Sequence, residues 1–171
     1  LGYVVAIGRV AEIRRVFEYH GAEHKAIAAY ESSVPLTPQS AQTFGTQHVR
    51  CGTNFLLLVM LLTSLAFSIV GRPGWLALVL SRVVLLPVVA AAAYETIRFA
   101  SRNMQRRWVA ALMRPGLALQ RLTTREPDLE QLEVAIAALR AALSPEERDE
   151  VEARAVAPER TAPALVERVP A

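Results

Sequence analysis

The chain has a single cysteine, Cys51, so no disulfide can form within it and nothing in its composition requires an oxidising compartment. The thiol stays available as a reduced side chain or a metal ligand. Aromatic residues are scarce, 6% of 171, and the arginines cluster beside apolar runs rather than among aromatics on which bases could stack. With a net charge of only +3, nucleic acid is not an expected partner. No basic leader with a cleavage site precedes the first apolar residues, and no segment repeats another. The first residue is Leu1, not methionine, and LGYVVAIG has the composition of the end of an apolar helix without its beginning. A fragment of a longer chain is therefore expected.

Apolar side chains are what the sequence has in abundance. Hydrophobic residues make up 53% and the mean hydropathy is +0.27, too oily for an ordinary soluble domain. They concentrate in two runs. Phe55–Val70, FLLLVMLLTSLAFSIV, carries no charge and is just long enough to cross a hydrocarbon core. GRPG at 71–74 supplies turn chemistry, and a second run follows over Trp75–Ala93 with Arg82 and Pro87 inside it. Arginine at that depth costs on the order of 2.5–3.5 kcal/mol unless it snorkels or finds a partner. Proline there is tolerated where neighbours satisfy the freed backbone groups. The expectation is an all-α integral membrane protein built on a transmembrane hairpin, its partner the lipid bilayer.

The basic residues set its orientation. Arg9, Arg14, Arg15, Lys25 and Arg50 precede the hairpin, Arg98, Arg102, Arg106, Arg107 and Arg114 follow it, and the connector holds only Arg72. Both flanks should face the cytoplasm. Beyond the hairpin, RWVAALMRPGLALQRL is amphipathic enough to lie on the bilayer surface. Leu129, Leu132, Ile136, Leu139 and Leu143 then recur at helical spacing, marking a cytoplasmic helix that packs on its own chain or docks a partner. Residues 1–143 are expected to form one membrane domain. Residues 144–171, with Pro145, Pro158, Pro163 and Pro170 among charges and alanines, are expected to be a disordered tail despite a helical start.

The chemistry concentrates in YHGAEHKAIAAYE, Tyr19 to Glu31. His20 and His24 are four apart and stack on one face of a helix, with Glu23 three after His20. The order H-x-x-E-H is that of inverted zinc metallopeptidases, in which the histidines hold the metal and the glutamate is the general base. By itself so short a pattern equally suits a wet helix face. Glu31, seven beyond His24, returns to the same face. HVRCG sets His48 and Cys51 three apart before the first span, and Glu95 stands near the end of the second, one turn before Arg98. The candidate metal ligands are thus His20, His24, His48, Cys51, Glu31 and Glu95, with Glu23 as the base and a divalent ion such as Zn²⁺ as cofactor. Three ligands and a water would make a catalytic site, whereas His20, His24, His48 and Cys51 together would close it as a structural one.

Four segments, RRVFEYHGAEHKAIAAYE, RCGTNFLLLVM, SRVVLLPVVAAAAYETIR and PGLALQRLTTREPDLEQLEVAIAAL, taken in that order, resemble the bacterial YqhQ family of multi-spanning membrane proteins. The likeness covers about Arg14 to Leu143. Members run to roughly twice this length, their function is unknown, and they are described as metal-dependent enzymes on the strength of such motifs. The resemblance implies roles for His20, Glu23, His24, Lys25 and Glu31, for Arg50, Cys51 and Gly52, and for Glu95. The family pattern has proline between the histidine and arginine of the second motif, where this chain has Val49, which leaves the aim of His48 open.

Three functions compete. A membrane protein with a cytoplasm-facing metal site, acting as a hydrolase, is the leading reading. A non-enzymatic scaffold or assembly factor, forming a homo-oligomer or binding a membrane-protein partner through its leucine-faced helix, is the second. A transporter or channel subunit is the third, suggested by Arg82, Pro87 and Glu95 in one span.

Overall fold

The computed structural model describes residues 2–71 and 74–156, and every regular element among them is helical. In order these are α1 (Gly2–Ile7), α2 (Ala11–Glu31), α3 (Pro38–Gln42), α4 (Gly52–Val70), α5 (Trp75–Arg102), α6 (Arg107–Thr123), α7 (Leu129–Ala142) and α8 (Pro145–Val156). The chain divides into two compact units, one from Leu1–His48 with Arg121–Ala171 and one from Val49–Gln120.

In the first unit α2 packs against α7, and α3 against both. The inner face of α2 is made of Ala22, Ala26 and Ala29, small enough for α7 to come close and bury Leu132, Ala135 and Ile136, with Leu36 filling the space beside them. Full burial of Leu132 alone stabilises by about 1.5–3 kcal/mol. The start of α7 is fixed by a reciprocal cap. Gln131 N donates to Asp128 Oδ1 (2.7 Å), and Asp128 N donates to Gln131 Oε1 (3.0 Å). Gln131 Nε2 then donates to Glu18 Oε2 of α2 at 3.0 Å. The leucine-faced helix of the sequence therefore packs on its own chain: Leu132, Ile136 and Leu143 are buried, and only Leu129, at the first turn, is exposed.

The helical start expected of the segment from residue 144 onward is α8. Ser144 N donates to Glu147 Oε2 (2.9 Å) and Glu147 N to Ser144 Oγ (3.3 Å), with Pro145 between them at the first helical position. This is a capping box with proline at N1. Val151 is 1% exposed within the core shared by α2 and α7, so α8 is docked rather than loose. Residues 157–171 of the expected tail lie outside the described residues.

In the second unit α4 and α5 pack against each other, and both are long and apolar enough to cross a membrane. Their outer faces remain uncovered. Leu61 is 64% exposed, Ile69 80% and Trp75 78%, where a helix in a water-soluble core would bury such residues. Helix α4 ends at Gly71, whose φ of +70° suits glycine and whose N–H returns to Phe67 O. Arg72 and Pro73 of the expected connector lie outside the described residues. Arg82 does find a partner on the facing helix, its guanidinium 3.8 Å from the centre of the Phe67 ring. Helix α5 continues through Pro87 to Arg102, nine residues past the apolar run read from the sequence.

Candidate functional site

Helix α2 carries His20 and His24 four residues apart, and their rings meet edge to face with centroids 4.4 Å apart. A ring nitrogen of one lies within 4.8 Å of a ring nitrogen of the other. Each ring is oriented from outside its helix. His20 Nδ1 bonds Thr123 O at 2.9 Å, and His24 Nδ1 bonds Thr46 O at 2.6 Å. A carbonyl oxygen can only accept, so in both rings Nδ1 carries the proton and Nε2 the lone pair of the neutral imidazole.

Two backbone segments bring those carbonyls to α2. The chain leaving α6 runs alongside the helix, where Arg125 N donates to Phe17 O at 2.9 Å. It comes so close at Gly21 that a Cβ there would overlap Arg125 O. The loop after α3 delivers Thr46, whose methyl carbon would stand 3.3 Å from the same Cβ. Lys25, 2% exposed, fastens both segments. Its Nζ donates to Gln42 O (2.9 Å) and Phe44 O (2.6 Å) in the loop, and pairs with the Glu126 carboxylate in the segment after α6. Glu126 in turn accepts from Gln42 Nε2 at 3.4 Å.

The His48 ring lies 6.0 Å from that of His24, and its Nε2 is 3.2 Å from Glu31 Oε2. His20, His24, His48 and Glu31 thus form one continuous series of contacts in the first unit. Glu23 is exposed, one position before the buried His24, and takes no part in the series. Cys51 belongs to the second unit, where it precedes the first turn of α4, is buried, and holds Sγ 3.1 Å from Thr53 Oγ1. Glu95 is exposed on α5 and accepts from Arg98 Nη1 at 3.2 Å.

Sequence reasoning missed Gly21, the carbonyls of Thr46 and Thr123, and the clamp made by Lys25. Gly21 was the one readable signal, because glycine between two histidines in a helix interior costs about 1 kcal/mol relative to alanine and calls for a packing reason.

A family model described as "Protein of unknown function (DUF1385)" matches residues 1–145. The chain belongs to this family. The "Uncharacterized protein YqhQ" of Bacillus subtilis (strain 168) is 40% identical over 137 residues, 80% of this chain. The chain spans 43% of that relative's length. No solved structure matches the chain. Membership in the DUF1385 family bears out the resemblance read from the four motifs, and its match takes in α1 to α7 and both units while leaving all but the first residue of α8 outside.

Proposed function

We propose that this DUF1385 protein is an integral membrane protein that holds a divalent metal ion, such as Zn²⁺, on helix α2, facing the cytoplasm. The observation that carries the reading is the pair of Nδ1-to-carbonyl hydrogen bonds on His20 and His24. Metal-binding imidazoles almost always donate their second nitrogen to a carbonyl or carboxylate, which fixes the tautomer and makes the other nitrogen the ligand. Two nitrogens on one tetrahedral zinc stand roughly 3.3 Å apart, given bond lengths of about 2.0–2.1 Å. The His20 and His24 nitrogens, within 4.8 Å, need only small rotations to reach that separation.

The donor chemistry fits: His20 and His24 supply two nitrogens, and His48 or Glu31 a third donor. A zinc ion there would supply Lewis acidity and lower the pKa of a bound water toward about 7. For a hydrolytic site, Glu31 is the better-placed carboxylate than Glu23, because it already contacts a ring of the series. The uncovered apolar faces of α4 and α5 support bilayer insertion, and the arginines on both flanks support a cytoplasmic site. The scaffold reading loses its main support, since the face of α7 that would have docked a partner is occupied by α2 and α3.

Elemental analysis of the purified membrane protein tests this. The wild type should carry about one transition metal per chain, and His20→Ala and His24→Ala should each lose it. Substoichiometric metal that neither substitution changes would sink the reading. Glu31→Gln then separates uses of the site: metal retained with a hydrolytic activity lost marks catalysis, and metal and stability lost together mark a structural ion.

A further inference from the structure

The second unit contains a cavity of about 520 Å³ where α4 begins and α5 ends, and three arginines line it: Arg50, Arg98 and Arg102. Arg98 and Arg102 stand one turn apart on α5, and Tyr94 is one turn further in on the same lining. Arg50 precedes α4 by two residues, with Phe55 at the end of that helix's first turn. Arg50 Nε donates to Ser101 Oγ at 3.2 Å, which fastens the segment before α4 to the last turn of α5.

Glu95 stands on the same helix, three residues before Arg98. Glu95 Oε1 takes one hydrogen bond from Arg98 Nη1 at 3.2 Å, and a guanidinium has five N–H donors. Like charges at i, i+4 on a helix repel one another, so an anion that bridges Arg98 and Arg102 relieves that repulsion. Planar forks of N–H donors match the oxygens of phosphate, and arginine is the side chain suited to that recognition.

The cavity also has a direction. Along α5 its lining runs from Arg102 through Arg98 to Tyr94 and Ile97, and along the start of α4 from Arg50 to Phe55, charged at one end and apolar where the hairpin's exposed apolar faces begin. That gradient is the one an amphiphile carries from head group to chain. Free phosphate would use the arginines and leave the apolar end without a role. We propose that this cavity binds the phosphate head group of an anionic phospholipid, with Arg50, Arg98 and Arg102 on the phosphate and the acyl chains lying along α4 and α5. The proposal rests on the membrane reading of the hairpin and is independent of the metal.

The test uses the full chain in lipid nanodiscs of phosphatidylcholine and phosphatidylglycerol. Flotation with vesicles of the same composition first tests insertion; a wild-type chain that stays in the aqueous fraction overturns the membrane reading and this proposal with it. For protein that floats, native mass spectrometry counts the lipids retained. About one phosphatidylglycerol per chain should be kept in preference to phosphatidylcholine. Because a basic residue near the surface contributes about fivefold to anionic-lipid binding, Arg98→Gln with Arg102→Gln should reduce that preference by roughly 25-fold. Arg82→Gln, on a residue that does not line the cavity, should leave it unchanged. Unchanged selectivity in the double variant, with helix content and flotation intact, would overturn the proposal. So would equal retention of both lipids by the wild type. Retention of glycerol phosphate by protein that retains no phosphatidylglycerol would overturn the lipid assignment in favour of a soluble phosphate.

Discussion

Replacing Gly21 by alanine sets two known effects against each other. In an open helix interior the change stabilises by about 0.8–1.0 kcal/mol. Here the added methyl would overlap Arg125 O, with Arg125 C at 3.2 Å and Thr46 Cγ2 at 3.3 Å. A backbone carbonyl cannot rotate away as a side-chain tip can, so the segment after α6 must retreat by about 1 Å to regain normal contact. Overpacking of this kind costs about 1–3 kcal/mol. The retreat also stretches the Arg125 N–H to Phe17 O bond, worth about 0.5–1.5 kcal/mol. Offsetting the propensity gain leaves a net loss of roughly 1–3 kcal/mol, read by thermal or chemical unfolding of the purified protein. The same movement carries Thr123 O away from His20 Nδ1, and loss of such an outer contact typically lowers metal affinity 10–100-fold. A Gly21→Ala protein that is about 1 kcal/mol more stable and binds metal as the wild type does would refute the reasoning, because it would show α2 open to solvent at that position.

Lys25→Met removes the donor to Gln42 O and Phe44 O while leaving Glu126 at a largely exposed position, so we expect a loss of about 2–3 kcal/mol, below the full penalty of an orphaned buried charge. Glu126→Gln should cost under about 1 kcal/mol in the same unfolding assay. Asp128→Ala deletes half of the cap on α7 and should cost about 0.5–2 kcal/mol. The Ser144 backbone N–H, and after it the Ser144 hydroxyl, hold the Glu147 carboxyl below its usual range. A depressed carboxylate stabilises above its unfolded pKa, near 4.5, and that contribution disappears as pH falls through the lower folded value. Hydrogen exchange in α8 should therefore accelerate as pH drops below about 4.5, after correction for intrinsic rates. Glu147→Gln should remove the pH dependence, and an α8 whose protection falls equally in both proteins would contradict the assignment.

What was legible in the sequence was whatever a single period or a run of hydropathy could carry. The hairpin was readable because two long apolar runs flank the turn chemistry of GRPG, although hydropathy stopped at Ala93 while α5 continues through the more polar YETIRFASR to Arg102. Helical turning explains the site. At about 100° per residue, His24 lies about 40° from His20 and Glu31 about 20° from it, whereas Glu23 lies about 100° from His24 on the other side. The shared face of His20, His24 and Glu31 could be counted along the chain; Glu23 was included for its three-residue spacing from His20, which leaves it about 60° from that residue on the side away from His24. Contacts made by backbone carbonyls had no such trace, since any residue type can supply one. Thr46 and Thr123 act through their carbonyls, so their identities announced nothing.

The placement of Lys25 bears on why this helix is built as it is. Packing α2 on α7 needs only the alanine face and Leu132, and an apolar residue at position 25 would add burial without a charge to satisfy. A buried lysine holding two carbonyls and a carboxylate instead fixes where the loop after α3 and the segment after α6 can lie. Those are the two segments whose carbonyls aim His24 and His20. A fully satisfied buried charge contributes little net stability over a well-packed apolar side chain, but it tolerates far fewer arrangements. The polar half of α2 is therefore better explained by the geometry it imposes on two imidazoles than by the stability it adds. A solvated helix face would require neither the buried lysine nor the glycine beside His20.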